Sequence, residues 1–187
     1  YRDKKTLVFD LDETLIHCNE NAESPSDVTL TIKMSNGEQI DAGINIRPYA
    51  ITLLNQLVKH FELIIFTASH SCYADVVLDY LDPERQLFQH RLYREHCYES
   101  DKGMYIKDLR IINRPLSDMV LIDNAAYSYS FQLENGIPIL PYYEGSNDFE
   151  LKALESYLAK LPGCKDVREL NKKTFKLHHY GKFDSPE

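Results

Sequence analysis

Two aspartates separated by a single residue mark the N-terminal part of the chain. They are Asp10 and Asp12, in the segment Asp10-Leu11-Asp12-Glu13-Thr14. Two carboxylates this close repel each other unless a cation lies between them or one of them is protonated. Both arrangements suit phosphoryl chemistry, because Mg²⁺ bridges carboxylate and phosphate oxygens and a protonated aspartate can donate to a leaving alkoxide. The pair therefore predicts a site that handles phosphate groups.

Asp10 is one of three polar residues that follow short apolar runs. The runs are Thr6–Phe9, Glu62–Phe66 and Met119–Ile122, and the residues after them are Asp10, Thr67 and Asp123. Such runs are typical of strands buried on both faces of a parallel sheet. Ligands bind at the carboxyl ends of the strands in open α/β sheets. We therefore expect these three residues to share one site.

Helical periodicity fills the segments between and after the predicted strands. Asn147 and Glu150 have the spacing of a capping box at the start of the third helix. Strands that alternate with helices predict a parallel α/β sheet with right-handed crossovers. The apolar positions are Ile51, Leu54, Leu57 and Val58 after Pro48, then Val76, Val77, Tyr80 and Leu81, and finally Leu151, Leu154, Tyr157, Leu158 and Leu161.

A small β-hairpin insertion interrupts this alternation. Apolar and polar residues alternate over Val28–Met34, and Ser35-Asn36-Gly37 favours a turn into Gln39-Ile40. The polar stretch Asn19–Asp27 before it predicts a mobile surface loop. The basic C-terminal tail predicts a solvated extension, with contact to an acidic partner left open.

The size and composition predict one domain spanning residues 1–187, with a core at about 5–160 and an extension at about 161–187. The chain has 187 residues, 43% of them hydrophobic, and a net charge of −8. This charge disfavours direct binding of nucleic acid. No apolar stretch reaches the length of about 18 residues that a membrane span needs, so no membrane contact is expected within this chain, and a targeting or membrane segment outside it stays open.

The four cysteines form no C-x-x-C pair, which predicts free thiols rather than disulfides or a zinc site. Free thiols are typical of a reducing compartment, so a nuclear or cytoplasmic location is expected. The protein is also expected to be a monomer.

Four ordered motifs carry a resemblance to a known family. Asp10-Leu11-Asp12-Glu13-Thr14-Leu15 resembles the D-x-D-x-T motif of haloacid-dehalogenase-type phosphatases, and in particular that of the FCP/SCP-like phosphatases, also called NLI-interacting-factor-like phosphatases. The later motifs are Phe66-Thr67-Ala68-Ser69, Tyr105-Ile106-Lys107-Asp108-Leu109 and Leu121-Ile122-Asp123-Asn124. The resemblance implies a haloacid-dehalogenase-like, Rossmann-type α/β sheet flanked by helices.

The resemblance also implies residue roles in a protein serine/threonine phosphatase. Asp10 would be the nucleophile that forms an aspartyl-phosphate, and Asp12 the acid and base. Thr67 would hydrogen-bond a phosphoryl oxygen and Lys107 would neutralise its charge. The Mg²⁺ ligands would be Asp10, the backbone carbonyl of Asp12 and Asn124, with Asp123 as a further ligand or directly behind them. Thr14 would support the loop.

The residues that the resemblance places beside the site leave the identity of the substrate open. Tyr73 and Arg94 match the family, whereas His70 stands where a small apolar residue is more usual. We expect an extended phosphoserine or phosphothreonine peptide with a nearby proline that packs on the Tyr73 ring, and RNA polymerase II C-terminal-domain specificity stays open. The alternatives are a small-metabolite phosphatase, disfavoured by the lack of a cap domain between Asp12 and Thr67, and a Tim50-like non-catalytic binding module, disfavoured by the presence of both aspartates.

Overall fold

The computed structural model describes residues 4–19, 24–34 and 36–182, and within them the chain forms ten strands and four α-helices. Short 3₁₀ helices connect several of these elements. The strands are β1 (Thr6–Phe9), β2 (Ile16–Asn19), β3 (Val28–Lys33), β4 (Gln39–Ile46), β5 (Glu62–Phe66), β6 (His90–Leu92), β7 (Tyr98–Glu99), β8 (Tyr105–Ile106), β9 (Met119–Asp123) and β10 (Gly136–Pro138). The helices are α1 (Ala50–Leu57), α2 (Ser71–Leu81), α3 (Glu150–Leu158) and α4 (Val167–Phe175).

The central sheet is parallel throughout, in the order β10-β9-β1-β5-β6. Phe9, at the end of β1, pairs with Ile65 on one side and Ile122 on the other. The three predicted strands are confirmed with nearly the same bounds, and Asp123 belongs to β9 itself. Because these strands end level with one another, the residues that follow them meet at one edge of the sheet.

Both faces of the central sheet are covered, which explains the uninterrupted apolar character of β1. Leu7 and Phe9 face a core that includes residues of α1, α2 and α3. Val8 faces a second core, which contains Leu109 and Tyr129 from 3₁₀ helices. Side chains alternate between the two faces of a strand, so an unbroken apolar run is required wherever both faces are buried.

The insertion is a three-stranded antiparallel sheet in the order β2-β4-β3. The predicted hairpin is confirmed as β3 and β4, and Ile32 alternates with the exposed Thr31 and Lys33. Neither β2 nor the extension of β4 to Ile46 was predicted. Asn19 lies in β2 rather than in a loop, and residues 20–23 and Ser35 of the predicted loop and turn lie outside the described residues.

The helix positions were predicted more accurately than their buried faces. Ile51 and Tyr80 are 42% and 45% exposed, whereas Leu53 and Leu78, which the sequence analysis did not select, are buried. The predicted capping box at Asn147 is wrong. No side chain of the N-cap residue caps α3, and the backbone N–H of Glu150 donates instead to Oδ1 of Asp148, at 3.2 Å.

The C-terminal segment packs on the domain through α4, which the sequence analysis did not predict. Val167 and Asn171 are buried, and Nδ2 of Asn171 donates to the carbonyl oxygens of Glu134 and Gly136. Lys172 and Lys173 are exposed on this helix. Within the described residues, no helix combines the length and the apolar character that crossing a membrane requires.

Candidate active site

A buried lysine lies between two aspartates at the carboxyl edge of the central sheet. Nζ of Lys107, which follows β8, donates to Oδ1 of Asp10 at 2.5 Å and to Oδ2 of Asp123 at 2.6 Å. The lysine side chain is only 2% exposed. A buried ammonium group is tolerated when it is paired and hydrogen-bonded in this way. Three residues that the sequence predicted for one site are therefore in direct contact.

The charges of this triad depend on each other. Burial raises the pKa of Asp10 to about 7, Asp123 adds to the rise, and Lys107 opposes it. Burial by itself lowers the pKa of Lys107, but attraction to Asp10 and Asp123 outweighs it and raises that pKa. Lys107 therefore stays charged, and a second cation beside Asp10 would favour the carboxylate form that a nucleophile needs.

Whereas Asp10 is paired with a lysine, the hydrogen-bond partners of the Asp12 carboxylate are hydroxyl groups. Its Oδ1 accepts a hydrogen bond from the Tyr73 hydroxyl at 2.7 Å, and its Oδ2 accepts one from Oγ of Ser69 at 2.7 Å. Oγ1 of Thr67 lies 3.4 Å from the same Oδ2 atom. Burial raises the pKa of Tyr73, and the charge of Asp12 raises it further, so this hydroxyl remains a donor. Asp10 and Asp12 are thus only two positions apart in the sequence, but different groups hold their carboxylates.

Thr14 brings together two of the predicted metal ligands. Its Oγ1 lies 3.0 Å from Oδ2 of Asp10 and 3.4 Å from Oδ1 of Asn124. Asp123 is occupied on both oxygens, since Oδ1 accepts from the backbone N–H of Ala125 and Oδ2 from Lys107. Both oxygens of Asp10 have partners as well, Lys107 and Thr14, so what distinguishes Asp10 and Asn124 from Asp123 is that they approach the same Thr14 hydroxyl.

Arg47 fixes the loop that carries the two aspartates. Its side chain is fully buried and forms a two-pronged ion pair with Asp148, with two N···O distances of 2.8 Å. Its Nη1 also donates to the carbonyl oxygen of Thr14, and its Nη2 to that of Leu140. The guanidinium therefore ties the Asp10 loop to the chain after β10.

A cavity of about 200 Å³ opens between these groups. Its formal charge of −2 would repel a phosphate group unless a cation entered with it. Hard oxygen donors suit Mg²⁺, which keeps several of its waters and needs few protein ligands. The described part of the chain contains no cluster of three His, Cys, Asp or Glu side chains able to bind a metal. The charged lining residues are Asp10, Asp12, Glu13 and Asp123 against Arg94 and Lys107.

The three residues predicted for the substrate pocket occupy different places. Arg94 lines the cavity, stacks over the Tyr105 ring at 4.9 Å and donates from Nε to the carbonyl oxygen of Ala68. His70 is exposed, with Nε2 3.1 Å from Nη1 of Arg94. Tyr73 is half-buried, contacts Asp12 and does not belong to the cavity lining.

Several residues of the site were not assigned a role from the sequence. Ser69 belongs to the second motif and could have been found as a hydroxyl two residues after Thr67. Tyr105 and Tyr127 also line the cavity. Tyr105 opens the third motif and could have been found there, whereas nothing in its local sequence distinguishes Tyr127 from the other tyrosines.

The fold and this set of side chains define a phosphatase of the haloacid dehalogenase type. The model of one family, the NLI interacting factor-like phosphatases, matches residues 5–168. The chain belongs to that family, and the resemblance inferred from the four motifs is confirmed.

Curated relatives support the same assignment. The chain is 40% identical over 181 residues to "CTD small phosphatase-like protein 3" of Caenorhabditis elegans, a match that covers 96% of this chain and 62% of that protein. It is 34% identical to the "CTD nuclear envelope phosphatase 1 homolog" of Drosophila pseudoobscura pseudoobscura, covering 94% of this chain and 74% of that protein. The chain spans less than two thirds of the length of the first of these relatives.

Solved structures show the same fold. The structure of the fission yeast RNA polymerase II CTD phosphatase Fcp1 bound to beryllium fluoride superposes with a TM-score of 0.62. The two sequences are 22% identical, and the match covers 96% of this chain and 57% of that one. The predicted α/β fold with helices on both sides of a parallel sheet is therefore confirmed.

Proposed function

We propose that this domain is a Mg²⁺-dependent protein serine/threonine phosphatase that works through an aspartyl-phosphate on Asp10. The observation that carries the proposal is that the carboxylates of Asp10 and Asp12 have different hydrogen-bond partners. Asp10 is paired with Lys107 and Asp123, while Asp12 is held by Ser69 and Tyr73, and both line the same cavity. Two carboxylates in different environments can divide the work of nucleophile and acid/base between them.

In the first step, an oxygen of Asp10 attacks phosphorus while the bond to the serine or threonine oxygen breaks. Asp12 gives a proton to the departing oxygen, and Lys107 offsets the negative charge of the transferring group. Thr67 lies where its hydroxyl can reach a phosphoryl oxygen, since it lines the cavity beside Asp12. In the second step, Asp12 takes a proton from water as the water oxygen attacks phosphorus and Asp10 is released.

The residues that would hold Mg²⁺ are Asp10, the backbone carbonyl of Asp12 and Asn124, with Asp123 supporting them. The approach of Asp10 and Asn124 to the same Thr14 hydroxyl supports this assignment. When bound, the cation would supply the positive charge that the anionic cavity needs to accept phosphate.

An extended phosphopeptide is the substrate that the shape of the site favours. Among the described residues, none between Thr14 and Phe66 lines the cavity, so neither the insertion sheet nor α1 forms a cap over it. A small metabolite phosphatase usually surrounds its substrate more fully. An open site instead allows remote contacts of a chain to contribute binding energy.

Polymerase-tail specificity remains a proposal, and its structural support is weaker than the sequence suggested. The Tyr73 ring was expected to receive a proline, but its hydroxyl is bound to Asp12 and the ring lies outside the cavity lining. Arg94 lines the cavity and the exposed His70 lies against it, and together they favour an acidic or phosphorylated neighbour of the phosphoserine. A nuclear or cytoplasmic location is also proposed, supported by relatives named for the nuclear envelope.

The test is hydrolysis of matched phosphoserine, phosphothreonine and phosphotyrosine peptides, compared with sugar phosphates, with and without Mg²⁺. We expect turnover of the phosphoserine and phosphothreonine peptides to require Mg²⁺ and to cease with chelator. A sugar phosphate that is hydrolysed with the higher kcat/KM would favour the metabolite phosphatase. Specific phosphopeptide binding without any turnover in Mg²⁺ would favour the binding module.

A further inference from the structure

The Tyr73 hydroxyl connects Asp12 by a hydrogen bond to a residue that does not line the cavity. The distance from the hydroxyl oxygen to Oδ1 of Asp12 is 2.7 Å, within the range of a strong bond to a carboxylate. Tyr73 lies in the first turn of α2, whose buried residues anchor it to the core. The position of the hydroxyl is therefore set by a packed helix rather than by a loop.

Ser69 completes a pair of hydroxyl donors. Its Oγ donates to Oδ2 of Asp12 at 2.7 Å, and its own backbone N–H donates to Oγ1 of Thr67 at 3.0 Å. Each oxygen of the Asp12 carboxylate thus accepts a hydrogen bond from a different element. Two anchored donors fix both the position and the plane of a carboxylate, as a group that must receive a proton from water requires.

We propose that Tyr73, together with Ser69, is a positioning residue that holds Asp12 for the second step, the hydrolysis of the phosphoenzyme. In that step a water oxygen bonds to phosphorus, the bond from phosphorus to the Asp10 oxygen breaks, and Asp10 leaves with the electron pair. The proton of the water passes to Asp12. This inference rests on the function proposed above for Asp10 and Asp12.

Tyr73 would act by holding Asp12 and not by touching the substrate. The Tyr73 hydroxyl contacts Asp12 and Cys18, and of these residues only Asp12 lines the cavity. A change at the hydroxyl alone therefore reaches the cavity through Asp12. With p-nitrophenyl phosphate the leaving group needs no proton, because its phenolate is stable. Formation of the phosphoenzyme from this substrate therefore depends little on Asp12, whereas its hydrolysis depends on Asp12 fully.

Tyr73→Phe removes only the hydroxyl, and Tyr93→Phe is a matched control. The Tyr93 hydroxyl also donates to a carboxylate at 2.7 Å, Oδ1 of Asp75, and neither residue lines the cavity. The measurements are kcat and KM for p-nitrophenyl phosphate with Mg²⁺, and the decay rate of the phosphoenzyme in a rapid-quench chase. Ser69→Ala is measured in the same way as a second variant.

For Tyr73→Phe we expect kcat and the decay rate to fall about tenfold or more, since a small misplacement of a catalytic group has effects of this order. KM should fall with kcat, so that kcat/KM changes little. Tyr93→Phe should keep wild-type kcat and decay rate. A fall in kcat/KM as large as the fall in kcat, or no change in either, would overturn the positioning role.

The failure of this inference is distinguishable from failure of the proposed function. If the wild-type protein forms no phosphoenzyme on Asp10, the proposed function itself fails. If it does, and the Tyr73→Phe and Ser69→Ala phosphoenzymes decay at the wild-type rate, only the positioning role is wrong.

Discussion

Nζ of Lys107 lies 2.5 Å from Oδ1 of Asp10, so the proposed nucleophile is already paired with a cation before any phosphate binds. The same Nζ atom contacts Asp123, and all three side chains are buried. One lysine therefore balances two carboxylates and fixes one oxygen of Asp10. We expect Lys107 to contribute to stability as well as to turnover.

Lys107→Met should both inactivate and destabilise the protein. The substitution leaves two buried carboxylates without their cation, and breaking a buried pair costs about 3–5 kcal/mol. The measurements are turnover and the free energy of unfolding from denaturant titration. Lys152→Met, which removes an exposed lysine paired with Glu155, is the control and should leave both unchanged. A Lys107→Met protein with wild-type stability would contradict this account of the triad.

Arg47→Met should destabilise the domain far more than the loss of a similar pair at the surface. Arg47 is fully buried and binds Asp148 together with two backbone carbonyls, so we expect a loss of about 3–5 kcal/mol. Arg168 makes a comparable two-pronged pair with Asp166, but its side chain is 37% exposed. Arg168→Met should cost about 1 kcal/mol or less. Equal losses in urea unfolding would refute the distinction.

Glu62 should make stability depend on pH in acid. Burial raises the pKa of its carboxyl, but hydrogen bonds from Arg114 and Thr6 outweigh burial and lower it below the ordinary value. Its contribution is therefore present above the unfolded pKa of about 4.3 and is lost as pH falls through the folded pKa.

Unfolding free energies measured from pH 7 to pH 3 would test this contribution. Glu62→Gln should be less stable than wild type at pH 7, and the difference should shrink towards pH 3. Glu155→Gln, at an exposed pair on α3, is the control and should run parallel to wild type. A Glu62→Gln curve parallel to wild type would show that this carboxylate contributes nothing to the pH dependence of stability.

Thr14→Val should weaken Mg²⁺ binding at the site without removing any proposed ligand. The hydroxyl lies between Asp10 and Asn124, and loss of a group that orients metal ligands typically lowers metal affinity about 10- to 100-fold. The measurement is the Mg²⁺ concentration that gives half-maximal activity, which should rise.

Thr6→Val is the matched control for this change. Thr6 is also buried and also donates to a carboxylate, that of Glu62, but it lies at the opposite end of β1. It should lower stability and leave the Mg²⁺ requirement unchanged. A Thr14→Val protein with the wild-type Mg²⁺ requirement would argue against Asp10 and Asn124 as joint ligands.

Three of the five strands of the central sheet, β1, β5 and β9, and the four motifs could be predicted because their signal is local, whereas the short edge strands β6 and β10 were not predicted. An apolar run that stops at Asp10, Thr67 or Asp123 shows both the buried strand and the position of the site. The strand β2 gave no such signal, since it reads Ile-His-Cys-Asn and is stabilised by pairing with β4. Its structure depends on a partner strand that is distant in sequence.

Which group a side chain contacts was harder to predict from the sequence than which residues are of interest. Tyr73 was selected from the sequence as a substrate-pocket residue because its ring suggested contact with proline, and only the fold shows its hydroxyl 2.7 Å from Asp12. Likewise α4 carries many lysines, which suggested a solvated tail, whereas Val167 and Asn171 fix it to the domain. Burial of one or two residues in a polar helix leaves almost no pattern in the sequence.

The most direct measurement of the central claim is the location of phosphate on the Asp12→Asn protein, quenched in acid during turnover with Mg²⁺. The substitution removes the acid/base group, which should slow turnover about 10²- to 10⁴-fold and allow the phosphoenzyme to accumulate. Mass spectrometry should find the added phosphate on Asp10, and the doubly substituted Asp10→Asn, Asp12→Asn protein should carry none. Phosphate on any other residue, or turnover that persists in Asp10→Asn, would contradict the assignment of Asp10 as the nucleophile.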